Sequence, residues 1–133
     1  MSKINTFIYS GVFILCFFSC SIEKKDVVGI YISRNNVNTI DTVIIKDDFR
    51  YINLMYRKID NSLIYRNEGK WQIANNYIIF ENFFFDEDDI HNKTVTEYDK
   101  VLITTRLPLE KEKGEIIIRH MPMHNDIYLK KIR

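Results

Sequence analysis

The sequence predicts an all-β domain, a small antiparallel up-and-down barrel or barrel-like sandwich of about eight to ten strands, after a cleaved N-terminal signal. Three observations carry that expectation. The chain of 133 residues holds one alanine, Ala74, against 22 isoleucines, 8 tyrosines and 9 phenylalanines. Such β-branched and aromatic side chains fit a pleated, half-buried surface. From Val27 onward, short runs of alternating polarity are separated by Asp and Asn pairs suited to tight turns. The residues before Val27 follow a different rule, passing from hydrocarbon into charge within a few positions.

That first segment comes first in order. Lys3 is the only charge before Glu23, and Phe7 to Phe18 reads FIYSGVFILCFF, the length of a signal-peptide apolar region. A spanning helix needs roughly 20 predominantly apolar residues, and extension in either direction meets Asn5 and Thr6 or Ser19 and Ser21. An ordinary secretory signal and an uncleaved N-terminal anchor are the plainer readings. The border, however, reads Phe17, Phe18, Ser19, Cys20, a small residue directly before a cysteine and a polar stretch after it. This resembles the lipobox of bacterial lipoproteins, of the Bacteroidetes type that accepts aromatic residues before the cysteine. The resemblance implies cleavage before Cys20 and acylation of its thiol. It therefore implies a bilayer partner and a lipid-anchored place in the cell envelope, at the outer membrane of a Gram-negative bacterium. One acyl chain holds a protein only reversibly, whereas the two or three chains of a lipoprotein hold it firmly.

Residues 1–19 then form the signal, 20–26 a lipidated tether and 27–133 the barrel domain. Cys16 leaves with the signal, so the mature chain has neither a disulfide nor a cysteine nucleophile. Loss of Lys3 from 19 basic residues leaves acids and bases in balance. That balance gives no electrostatic case for a nucleic-acid partner.

The strands follow in order. VVGIYIS (Val27 to Ser33) is followed by TIDTVIIK (Thr39 to Lys46). Asp47-Asp48 makes a tight turn into FRYINLMYRK (Phe49 to Lys58), and Asp60-Asn61 makes another into LIYRNE. Glu68-Gly69 reads as the next turn, opening KWQIA, and Asn75-Asn76 as the one after, opening YIIFENFFF. The loop DEDDIHNK (Asp86 to Lys93) interrupts the sheet. Val95 to Leu107 reads as a long strand, PLEKEKG as a loop or helical turn, Gly114 to His120 as a strand and DIYLKKIR as the last. Short turns make consecutive strands antiparallel neighbours, and a sheet of this size must curl closed or split into layers. In KWQIA, Trp71 and Ile73 oppose Lys70 and Gln72, so both apolar residues are expected to face inward.

Gly29-Ile30-Tyr31 near the start, Gly69-Lys70-Trp71 at mid-chain and the closing IYLKKI together resemble small lipocalin-like lipoproteins. The resemblance spans Val27 to Ile132 and implies a small antiparallel barrel. Such a barrel is either packed by its own side chains or holds one small molecule.

Candidates for chemistry are few. HMPMH places His120, Met121, Met123 and His124 together, imidazole and thioether ligands that suit copper; the plainer reading is a turn around Pro122. Asp86, Glu87, Asp88 and Asp89 offer oxygens without the glycine and spaced carboxylates of a calcium loop. Glu97 and Asp99 share one strand face, as solvent-facing carboxylates also do. With His91 and His120 they form an enzymatic set only if the fold brings them together. No serine lies in a nucleophile elbow, no glycine-rich loop exists to hold phosphate, and no cofactor motif is present. Three successive phenylalanines, Phe83, Phe84 and Phe85, cannot all point inward from a regular strand, so they mark a candidate interaction surface. The sequence thus predicts a non-catalytic binding or accessory module. Its partner is a small apolar ligand or an envelope protein.

Overall fold

The computed structural model describes residues 21–36, 38–83, 103–120 and 128–133. They form one short helix, α1 (Lys24–Val27), and eight strands: β1 (Gly29–Arg34), β2 (Thr39–Ile45), β3 (Arg50–Arg57), β4 (Leu63–Ala74), β5 (Tyr77–Phe83), β6 (Ile103–Glu112), β7 (Glu115–Arg119) and β8 (Tyr128–Lys131). Every strand pairs antiparallel with its sequence neighbours. The pairing of β1 with β8, Tyr31 opposite Lys131 and Ser33 opposite Leu129, closes the barrel. The expected antiparallel barrel is therefore observed, with eight strands of the eight to ten expected.

The turns follow from local chemistry. Asn75 and Asn76 both take positive φ, 50° and 60°, the backbone of a two-residue hairpin turn whose twist matches its strands. At Asp60 the carboxylate accepts from the backbone N–H and hydroxyl of Ser62 at 3.0 and 2.7 Å, and at Asp48 it accepts from the N–H of Arg50 at 3.2 Å. Each short side chain satisfies a backbone donor that the turn would otherwise leave open.

Two expectations are corrected. Glu68-Gly69 is not a turn but the middle of the 12-residue β4, with Gly69 opposite Tyr51. A Cβ at Gly69 would stand 2.7 Å from Tyr51 Cε1 and collide with the Glu81 carbonyl oxygen, so the glycine serves close approach rather than a bend. PLEKEKG does not leave the sheet: β6 continues through Pro108 to Glu112. Pro108 pairs with Tyr77 of β5 immediately before Leu109 takes up pairing with Ile118 of β7, so its missing N–H falls where the strand changes partner. Ahead of β1, Lys24–Val27 forms a turn of helix. Val27 is fully buried, and Ile22 and Val28 pack beside it on the core.

That turn closes one end of the barrel. Tyr31 Oη donates to the Val27 carbonyl at 2.7 Å, Lys131 Nζ to the Asp26 carbonyl at 2.7 Å, and Ile30 N to the Arg133 carbonyl at 2.9 Å. The β2–β3, β4–β5 and β6–β7 turns lie at the same end, the closed end below, because alternate turns of a meander share an end. Above α1 sits the apolar core: Tyr31, Val43, Ile45, Tyr51, Trp71, Ile78, Phe80, Leu107, Leu109, Ile116, Ile118 and Leu129. Each fully buried aliphatic or Phe side chain contributes about 1.5–3 kcal/mol relative to exposure. Trp71 points inward as expected, 2% exposed, its Nε1 donating to the Lys46 carbonyl at 2.9 Å. Among the described residues, no helix is long and apolar enough to cross a membrane.

Candidate functional site: a polar chamber in the barrel

The interior changes character along its axis. Inward residues near the closed end are apolar, while those toward the opposite end are Ser33, Asn36, Thr39, Asp41, Asn53 and Asn67, all buried, with Met55 and Tyr65 among them. Strand register produces this directly. Ser33, Asp41, Met55 and Tyr65 form one inward row around the wall, and Tyr31, Val43, Asn53 and Asn67 form the next row toward the closed end.

Two hydrogen-bonded groups occupy the chamber. In the first, Asn36 Nδ2 donates to Asp41 Oδ2 at 3.2 Å and to Thr39 Oγ1 at 3.3 Å, while Asp41 N donates to Ser33 Oγ at 2.8 Å. Lys58 reaches from the β3–β4 turn and donates to the Asn36 carbonyl, fixing the loop that carries Asn36. In the second, Asn67 Nδ2 donates to the Asn82 carbonyl at 2.6 Å and to Tyr51 Oη at 3.3 Å. Tyr51 Oη in turn donates to the carbonyls of Glu81 and Asn82, at 2.7 and 2.9 Å. Burial, aided by the charge of Glu81 and opposed by the bond from Asn67, holds the Tyr51 phenol well above its ordinary pKa. Tyr51 is therefore a neutral donor at any physiological pH.

Both asparagine amides are oriented by what their nitrogens touch, a carboxylate oxygen in one case and a backbone carbonyl in the other. Oδ1 of Asn36 and Oδ1 of Asn67 consequently point away from those acceptors. Each is shut from solvent and, among the described residues, accepts no hydrogen bond. Asp41 is fully buried and is the acidic side chain among the described buried polar residues. These groups can accept hydrogen bonds and stabilise positive charge. Nothing in them marks a nucleophile.

The residues singled out in the sequence fall elsewhere. Phe83, expected on an exposed surface, is 1% exposed and stacks on Phe80 with centroids 4.5 Å apart. A bulge explains the correction: Asn82 takes φ 54°, Glu81 and Asn82 both face out, and the next residue returns to the core. Phe84 and Phe85 lie outside the described residues, as do Cys20, Met121, Met123, His124, Asp86, His91, Glu97 and Asp99. His120 is half-buried directly after β7, so the structure neither assembles nor separates the proposed metal ligands. Among the described residues, no three His, Cys, Asp or Glu side chains are grouped to hold a metal.

The chamber residues were not singled out from the sequence, although one signal pointed to them. Counting back from inward Trp71 in steps of two reaches Gly69, Asn67 and Tyr65, which puts an asparagine on the core face. Compared with protein-family models, characterised proteins and solved structures, the chain matches none.

Proposed function

We propose that the protein is a lipid-anchored, non-catalytic binding module of the cell envelope that takes its ligand into the polar half of the barrel. One observation carries the binding reading. A barrel that could be filled with Ile and Phe throughout instead buries six polar side chains among the described residues, and Oδ1 of Asn36 and Oδ1 of Asn67 receive no donor from those residues. Each such oxygen costs about 1–3 kcal/mol unless something outside the chain donates to it. The apolar half accounts for stability, and the polar half is the part a ligand explains.

The anchor reading rests on the lipobox-like FFSC ending at Cys20. With α1 seated on the closed end, an acyl group at Cys20 would put that end toward the bilayer and the polar half away from it. Two experiments test the function. Protein extracted from membranes is expected to carry a non-covalent ligand resolved by native mass spectrometry. A clickable palmitate analogue is expected to label the wild type and not Cys20→Ala. Apo protein alone opposes the binding reading, and equal label on both chains opposes the anchor.

A second reading, a protein-interaction module, is favoured by the outer face rather than by the phenylalanine run. Ile30, Ile44 and Ile52 are successive cross-strand neighbours on the outside of β1, β2 and β3, and Ile32 and Leu54 lie in the next row. Crosslinking in membranes that captures the same partner for wild type and for Ile44→Lys would argue against that face.

A further inference from the structure

We infer that the closed end of the barrel is a second, non-covalent contact with the bilayer, whose groove beside α1 takes the phosphate group of an anionic phospholipid. The inference rests on the anchor reading above and gives the anchored protein a fixed orientation. Chain length is the first support. Ile22 packs on the core beside Val27, and Cys20 stands two residues before it. Consecutive Cα atoms are about 3.8 Å apart, so an acylated Cys20 lies within about 8 Å of a residue fixed to the barrel. A tether that short holds the closed end at the headgroups.

Charge is the second support. A groove of about 400 Å³ lies between α1, the β6–β7 turn and residues 131–133, lined by the cations Lys25, Lys111, Lys131 and Arg133 and the acids Asp26 and Glu115. Acids at this end are already matched by the protein. Glu23 pairs with Lys25, Asp47 with Lys24, Asp48 with Arg50, Glu112 with Arg119 and Glu115 with Lys130. Asp26 accepts from the Glu23 N–H at 3.0 Å and is the acid left facing the groove's lysines. Lys131 Nζ donates to the Asp26 carbonyl at 2.7 Å. The side chains of Lys46, Lys111, Lys113 and Arg133 form no ion pair among the described residues. The surplus stays positive with a main-chain carboxylate at Arg133 counted against it. Burial lowers the pKa of Lys131, which the charge of Asp26 opposes, so an anion in the groove would restore its hold on the proton.

The rim of this end is apolar. Phe49 and Ile132 are both exposed, and Phe49 takes φ 61°, a conformation that bulky side chains rarely adopt. Its ring is held 5.6 Å from that of Trp71, with Lys24 Nζ 4.1 Å from its centroid. An apolar ring beside a lysine suits the boundary between acyl chains and headgroups. Ile59, Leu63 and Ile103 are exposed as well, but toward the opposite end. The β5–β6 connection belongs to that end, and its sequence, residues 84–102, carries six acids against two lysines. An anionic surface therefore attracts the closed end and repels the other.

The test is NMR of the full chain in nanodiscs of phosphatidylcholine mixed with phosphatidylglycerol, with a nitroxide on the headgroup of a trace lipid. Broadening by the nitroxide falls steeply with distance, and the seven residues of β2 put the two ends roughly 20 Å apart. The amide signals of Phe49, Gly114 and Ile132 are expected to broaden, while those of Asp60 and Ser62 stay sharp. Lys111→Glu combined with Arg133→Glu, both on exposed residues, is expected to lose the broadening at Gly114 and Ile132, with circular dichroism confirming the fold. If that variant does not fold, the wild-type comparison of the two ends decides by itself. Inorganic phosphate added to nanodiscs of phosphatidylcholine alone is expected to leave the Gly114 signal in place. Equal broadening at both ends, or stronger broadening of Asp60 and Ser62, overturns the docking. Undiminished broadening in the charge-reversed chain overturns the groove, and free phosphate moving Gly114 as far as phosphatidylglycerol does overturns the lipid as its source. Palmitate labelling of Cys20 reads the anchor separately, so a labelled chain with equal broadening loses this inference alone.

Discussion

Gly69 lies directly opposite Tyr51 on the β3–β4 ladder, and the Tyr51 ring occupies the space that a side chain at 69 would take. This pair links fold to site. The absent side chain lets the Tyr51 hydroxyl reach the Glu81 and Asn82 carbonyls, and that hydroxyl in turn receives Asn67.

Gly69→Ala is therefore expected to destabilise the barrel by about 3 kcal/mol or more, because one of the two clashing neighbours is backbone and cannot rotate away. Tyr51→Phe keeps the ring and loses the hydroxyl, and is expected to cost about 1–3 kcal/mol. Urea unfolding of both variants checks the order. A neutral Gly69→Ala would mean that β4 does not run through this position.

Much of the fold was legible because its signals are local. Asp47-Asp48, Asp60-Asn61 and Asn75-Asn76 are turns for reasons contained within four residues, and Trp71 declares its face by alternating with Lys70 and Gln72. Where the reading failed, one residue type had two physical uses. Glycine marks turns and also close approach, so Gly69 was misplaced; proline breaks ladders and is also tolerated where a strand changes partner, so Pro108 was misplaced. The site was less legible than the fold. Asn36, Asp41 and Asn53 belong to no motif, and only closure of the barrel shows that their side of the strand is the inside.

The buried phenols give a pH prediction. Burial first, and the nearby charge of Asp26 or Glu81 second or third, raise the pKa of Tyr31 and Tyr51 well above that of a free phenol. A raised folded-state pKa contributes stability that is complete below the unfolded value, near 10, and is lost as pH rises toward the folded value. Stability should thus be flat to about pH 9 and then fall, each of the two groups contributing a slope of up to about 1.4 kcal/mol per pH unit. Ultraviolet titration is expected to leave two tyrosines protonated at about pH 11 until the protein unfolds. All tyrosines ionising together near pH 10 without unfolding would contradict this.

The helical turn at the closed end can be tested apart from the barrel. Val27 is fully buried and its carbonyl accepts from Tyr31 Oη, so Val27→Asp places a charge in the core and should unseat α1. The expected result is a lower melting temperature, with Tyr31 becoming titratable near pH 10 while Tyr51 remains protected. Unchanged protection of Tyr31 would mean that α1 does not seal this end.

The most direct test of the central claim is a high-resolution crystal structure of the protein purified from its own membranes. The account predicts a ligand in the polar half of the barrel, donating hydrogen bonds to Oδ1 of Asn36 and to Oδ1 of Asn67. A chamber filled by the protein's own side chains, with both oxygens receiving protein donors, would contradict it.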